Sequence, residues 1–214
     1  MNSSKEFAKN LLQIKAIKIN LQNLFVWASG IHSPIYCDNR VVLSYPVIRE
    51  QVIDSLIELV AGYEDIDFIA GVATAGIPWG AILADRLKKP FIYVRSEAKS
   101  HGRQNQIEGE LPTGNNVLIV EDLISTGGSS IKAVEAVRAN NCIVTGVISL
   151  FDYKLKDAKN NFNSISCDYK SICDFDILIA EALDLNYIDK KEYNIIKEWK
   201  SDPENWFKNL INIK

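Results

Sequence analysis

Residues 117–130 read Val-Leu-Ile-Val-Glu-Asp-Leu-Ile-Ser-Thr-Gly-Gly-Ser-Ser. Four successive aliphatic residues, Val117 to Val120, suit a strand covered on both faces, as in a parallel sheet. Glu121 and Asp122 put two carboxylates at the expected carboxyl end of that strand. Ser125, Thr126, Gly127, Gly128, Ser129 and Ser130 then form a small-residue turn into a helix. Glycines let backbone wrap an anion, hydroxyls add donors, and the helix start offers free N–H groups and a positive dipole end. Acids beside an anion cradle are reconciled if the ligand is a sugar phosphate. The carboxylates accept from ribose hydroxyls while the turn donates to phosphate.

A glycine-rich turn by itself is an ordinary strand-to-helix connection. Four hydrophobic residues, two acids and a Ser-Thr-Gly-Gly-Ser-Ser run together carry more. The stretch resembles the phosphoribosyl-diphosphate (PRPP) signature of type I phosphoribosyltransferases. That resemblance implies an α/β fold with a central, mainly parallel sheet flanked by helices.

Outward from this stretch, the same alternation recurs. Asp67 to Val72 reads as a strand, followed by Ala73-Thr74-Ala75-Gly76-Ile77-Pro78 and a helix from Trp79 to Leu87 with Ala81, Ile82, Ala84 and Leu87 inward. Gly71 to Gly76 imitates the opening of a nucleotide-triphosphate loop, but Ile77 stands where that motif needs lysine. A tight turn or a backbone anion site remains; in the family this turn is the diphosphate loop. Pro90 to Val94 reads as a short strand. A helix from Gly128 to Asn140 and a strand from Cys142 to Leu150 complete a right-handed strand–helix–strand unit with parallel strands. Further on, the pattern predicts a polar helix over 154–163, an edge strand over Ser164–Tyr169, and helices over Ser171–Leu183 and Lys190–Lys200. Tyr45 to Ala61 predicts a helix burying Val47, Ile48, Val52, Leu56, Leu59 and Val60, after a connection from Ile17 to Asn23.

Two segments bear on what the site does. Residues 95–110 are long, polar and nearly free of large apolar side chains, with Arg95, Lys99, His101 and Arg103 as cations or donors. Such a run in a compact domain is a solvated surface loop or a functional one. Residues 25–40, Phe-Val-Trp-Ala-Ser-Gly-Ile-His-Ser-Pro-Ile-Tyr-Cys-Asp-Asn-Arg, read as two short strands joined by a glycine turn. Their wording resembles the N-terminal segment of orotate phosphoribosyltransferases, and Tyr-Val-Arg-Ser-Glu-Ala-Lys-Ser-His-Gly, residues 93–102, resembles that family's mobile catalytic loop.

The resemblance implies one domain over residues 1–214, with residues 1–40 contributing a small hood over the base. It implies transfer of the ribose 5-phosphate group of PRPP to orotate, with Mg²⁺ held through PRPP and water rather than by direct protein ligands. Carried residue by residue, it implies that Glu121 and Asp122 hold ribose hydroxyls. Ser125, Thr126, Gly127, Gly128 and Ser129 cradle the 5′-phosphate, Leu123 and Ile124 also contact PRPP, and Ser125 also touches orotate. Thr74, Ala75 and Gly76 lie against the diphosphate. Arg95, Lys99 and His101 are the catalytic cations, also contacting PRPP. The 95–110 loop is expected to cross to the partner of a homodimer. The chain departs from many bacterial members where lysines are replaced by Ala28, Ala75 and Ser96, and where an orotate-binding arginine is replaced near Tyr153. The site is then less cationic.

Composition narrows the rest. A chain of 214 residues holds a sizeable core, and a net charge of −3 argues against a nucleic-acid protein. No stretch is apolar enough to span a bilayer, and Met1 to Ala16 lacks the uninterrupted apolar run of a signal peptide, so a soluble cytoplasmic protein is expected. Cys37, Cys142, Cys167 and Cys173 show no C-x-x-C spacing and read as buried reduced thiols. Two rival functions share the PRPP motif. A purine-base transferase would lack the Ser-Gly-Ile-His-Ser-Pro segment. A PRPP-sensing regulator would add a nucleic-acid-binding element or basic cluster, and neither stands out in this sequence.

Overall fold

The computed structural model describes residues 2–27, 29–96 and 106–208. At its centre is a six-stranded sheet: β5 (Phe68–Val72), β6 (Phe91–Val94), β7 (Ile107–Glu108), β8 (Asn116–Ile124), β9 (Ile143–Asp152) and β10 (Tyr169–Asp174). Its spatial order is β10-β9-β8-β5-β6-β7, parallel throughout except for the short β7. From β5 the chain moves outward to β6; from β8 it moves the other way, to β9 and β10. The order therefore reverses between β5 and β8, and a crevice opens at their carboxyl ends, where α/β proteins bind ligands.

The aliphatic run of β8 explains itself in section. Val117 and Ile119 pack into one core, with Val134 and Val137 of α4 (Gly128–Ala139) and Phe162 of α5 (Lys156–Ser164). Leu118 and Val120 face the opposite core. That core also takes buried side chains from α1 (Asn2–Gln13), α2 (Pro46–Val60), α3 (Gly76–Leu87), α6 (Phe175–Asp184) and α7 (Lys190–Ser201), of which α3 packs directly on β8. Burial on both faces leaves no room for polar alternation.

Several expected boundaries move. Residues 17–19, read as connection, form β1 (Ile17–Ile19), which pairs antiparallel with β4 (Ile35–Cys37). The glycine-turn hairpin is present as β2 (Phe25–Val26) and β3 (His32–Ser33). In α2, Val47 is exposed instead of buried, and Ile53 takes an inward place. α3 starts at Gly76, earlier than expected; Ala84 is inward as expected, and Trp79, Gly80 and Leu83 take the places expected for Ala81, Ile82 and Leu87. The edge strand is Tyr169–Asp174, not Ser164–Tyr169, because α5 runs on to Ser164. Asp174 then caps α6 by accepting from Ile177 N, so that helix begins at Phe175.

The hairpin of β2 and β3 has two residue pairs and would be marginal by itself. α7 holds it. Buried Trp199 donates from Nε1 to the His32 carbonyl at 2.9 Å, and its ring meets Trp27 edge-on with centroids 5.6 Å apart. Tyr153 and Phe175 complete the aromatic cluster, and Phe207 stacks on His32 at 4.0 Å. Trp199→Ala should cost about 3–5 kcal/mol in denaturant unfolding. Trp199→Phe, which keeps a ring but drops the bond to His32, should cost about 1 kcal/mol more than a silent control.

Candidate active site

β8 carries Glu121 and Asp122 to the crevice but does not end there: it runs through Leu123 to Ile124. Glu121 is buried, 4% exposed. Its Oε2 accepts from Ser129 Oγ at 2.8 Å and from Ser130 Oγ at 3.4 Å, and Oε1 accepts from Asp122 N at 3.1 Å. Burial, reinforced by the Asp122 charge, pushes the Glu121 carboxyl well above the usual range. Burial also raises Asp122, against the downward pull of its hydrogen bond with Glu121 and of the Arg40 charge. Asp122 is the more open of the two acids.

A buried acid with a raised pKa works against folding once the unfolded chain ionises. The unfolded state then holds fewer protons than the native one, so stability falls as pH rises from the ordinary carboxylate range toward Glu121's own raised value. Glu121→Gln should therefore raise the melting temperature near neutral pH. The gain should close as pH falls below about 4, the ordinary carboxylate range. Thermal melts across pH check this, and an unchanged difference at acid pH would refute it.

The turn after β8 is built for an anion. Gly127 has φ +82° and is the N-cap of α4; no side chain caps that helix. A Cβ on Gly127 would also sit 2.9 Å from Phe162. Asn161 of α5 steadies the turn by donating from Nδ2 to the Thr126 carbonyl at 3.0 Å. α3 begins the same way across the crevice: Ala75 is its N-cap, again without a side-chain cap. Two helices thus present open N-terminal amides on either side of a carboxylate pair. The Ala73–Thr74 peptide just before α3 is cis.

Of the residues expected at the site, the structure brings Gly76 and Ser129 to Glu121, with Thr74 and Ala75 leading into α3 and Ser125 to Gly128 linking β8 to α4. Gly76 is the point of contact, since a Cβ there would lie 2.5 Å from the Val120 carbonyl. The Ile124 side chain is fully buried in the core, so only its backbone can meet a ligand. Leu123 packs against the other core. Arg95 follows β6 and reaches Glu108 on β7 at 3.5 Å. Tyr153 is buried in the aromatic cluster. Lys99, His101 and Ala28 lie outside the described residues.

Two site residues were absent from the expectation. Ser130 is fully buried and shares Glu121 with Ser129. Asn39, also buried, donates from Nδ2 to the Asp122 carbonyl at 2.7 Å and accepts from the Cys37 thiol at 3.2 Å. It ties the N-terminal segment to β8. Beside it, Arg40 is clamped by both oxygens of Asp38. Its place in an Asp-Asn-Arg cluster was the available signal.

A reversing parallel sheet, two uncapped helices and paired acids between them define a binder of phosphorylated sugars. The chain belongs to the phosphoribosyl transferase domain family, whose model matches residues 47–179. It is 47% identical over 207 residues to the orotate phosphoribosyltransferase of Coxiella burnetii, covering 96% of this chain and 99% of that one. Identity to the orotate phosphoribosyltransferase of Enterococcus faecalis is 44% over 206 residues, covering 96% and 98%. The crystal structure of orotate phosphoribosyltransferase from Aeropyrum pernix superposes with a TM-score of 0.73 at 32% identity, over 86% of this chain and 99% of that chain. These relatives place the chain on the orotate phosphoribosyltransferase branch of the family.

Proposed function

We propose that this crevice joins orotate to PRPP, forming orotidine 5′-monophosphate and diphosphate. The observation that carries the reading is the carboxylate pair set between two uncapped helix N-termini. One anion-binding helix suits the 5′-phosphate, at Ser125 to Ser129; the other suits the diphosphate, at Thr74 to Gly76. The acids between them suit the ribose hydroxyls. Asp122 is open enough to accept first, whereas Glu121 must exchange the Ser129 hydroxyl for one from the sugar.

The bond from ribose C1 to diphosphate breaks as the bond to the orotate ring nitrogen forms, and that nitrogen's proton is released with the diphosphate. Positive charge grows on the ribose ring and negative charge on the departing diphosphate. The protein therefore contributes fixed charges and dipoles rather than a nucleophile. Asp122 stabilises the sugar side; the amides of α3, with Arg95, Lys99 and His101, neutralise the diphosphate side. Arg40, although bound to Asp38, adds positive potential at Asp122.

The donor set fits a cation carried in by substrate. Among the described residues, no three His, Cys, Asp or Glu converge as a metal cage, and the acids here are two. Mg²⁺ would take phosphate and ribose oxygens and water, with Asp122 and Glu121 as its protein neighbours, and would neutralise phosphate charge.

We assign the hood to residues 1–40, with Ser125 touching orotate from below, in a single domain over 1–214. A homodimer in which residues 95–110 serve the partner's site completes the reading. The free, buried cysteines suit a reducing cytoplasm, and among the described residues no helix is long and apolar enough to cross a membrane. The test is the absorbance change of orotate mixed with protein, PRPP and Mg²⁺. Consumption of orotate is expected. Inert orotate with adenine or hypoxanthine converted instead would overturn the assignment.

A further inference from the structure

A second cavity lies along the free edge of the sheet, next to the crevice but lined by other residues. It has a volume of ≈ 660 Å³ and runs between β10 and α5. That size suits a nucleotide-sized ligand.

Three features of its wall point to one ligand chemistry. The first is Asp152, 1% exposed, at the end of β9 beside Asp174. Its Oδ1 accepts from Lys154 N at 2.7 Å, but its buried Oδ2 has no hydrogen-bond partner. An orphaned buried carboxylate oxygen is disfavoured and calls for a donor. Its pKa is raised, chiefly by burial. The second feature is cationic. Lys154, Lys156, Lys159 and Lys170 all line the cavity. Lys154 is paired with Asp174 and Lys170 with Asp168. Lys156 and Lys159, three apart on one face of α5, make no ion pair among the described residues. The third is apolar: Leu59, Leu155 and Tyr169 supply wall for a flat ring. Anion, hydrogen-bond donor and ring together describe a nucleoside monophosphate.

We propose that this cleft is a second binding site, for a nucleoside monophosphate whose phosphate meets Lys156 and Lys159 and whose hydroxyl or amino group donates to Asp152. The site does not share its lining residues with the PRPP crevice. It adjoins that crevice through β9, where Asp152 pairs with Ile124 of β8, and through α5, whose Asn161 and Phe162 support the turn at Thr126 and Gly127.

Calorimetric titration of the full-length protein, saturated with PRPP and Mg²⁺ and without orotate, tests this. The probes are adenosine 5′-monophosphate and sulfate, which offers the anion without a donor. One adenosine monophosphate should bind per chain, more tightly than sulfate. The double change Lys156→Gln with Lys159→Gln should weaken both probes by about tenfold or more, as loss of charge-assisted bonds implies. Asp152→Asn should weaken adenosine monophosphate and leave sulfate unchanged. Orotate turnover should survive the lysine changes. No binding under PRPP saturation, or affinity unchanged by the lysine changes, would overturn the site; equal affinity for the two probes would overturn the role of Asp152. The orotate assay fails or succeeds independently of these titrations.

Discussion

Gly76→Ala should abolish most activity while the protein still folds. The added Cβ would lie 2.5 Å from the Val120 carbonyl and 3.2 Å from Glu121 Cα. Both are backbone atoms of β8, so no side chain can swing away. Either the start of α3 lifts or the strand bearing the acids retreats. Overpacking of this kind costs about 1–3 kcal/mol of stability. The catalytic cost is larger, because the two halves of the PRPP crevice meet at this atom. A displacement near 1 Å can lower turnover about 100-fold. Steady-state kinetics and urea unfolding of the wild type and Gly76→Ala decide the matter. Wild-type kcat/KM in Gly76→Ala would show that α3 and β8 need not approach so closely for catalysis.

What the sequence disclosed, and what it hid, follows from the range of the contacts involved. The Val117–Val120 run was legible because burial on both faces leaves only aliphatic residues. The turn at Gly127 was legible because a positive φ asks for glycine. By contrast, β1 is three residues long with Lys18 at its centre, and its strand character comes from pairing with Ile35–Cys37. Nothing local marks it. The inward face of α3 differs from the expected one because Trp79 packs fully into the core with Leu83 and Ala84, leaving Ala81, Ile82 and Leu87 half-buried. The apolar Ile172 drew the α6 pattern backward across Asp174, which is in fact that helix's cap. Asn39 reaches Asp122 across 83 residues of chain, a contact that no periodicity could reveal.

The site was therefore legible where its chemistry is local, in the acids and the turn, and hidden where distant segments support it. The same division bears on the cations. Arg95 has a described neighbour, Glu108, and a fixed place after β6. Lys99 and His101 have only their chemistry to argue from.

Lys99→Ala should lower kcat by about 100- to 1000-fold, the usual effect of removing a group that meets charge developing in the transition state. The KM for PRPP should change little if, as proposed, ground-state PRPP is held by the turn at Ser125 to Ser129 and the amides of α3. Arg95→Ala should show the opposite balance, a raised KM for PRPP with a smaller loss of kcat, if it pairs with diphosphate before and after the bond breaks. Unchanged turnover in Lys99→Ala would end its assignment as the main neutraliser of the leaving charge. Mixing subunits asks a further question of the same residue. Lys99→Ala and Asp122→Asn should each be nearly inactive as homodimers. If residues 95–110 serve the partner's site, unfolding and refolding the two together makes hybrid dimers with one intact crevice and one intact Lys99 meeting across the interface. Random pairing should then restore about a quarter of wild-type activity. If the loop serves its own subunit, every hybrid site lacks one of the two groups and no activity returns.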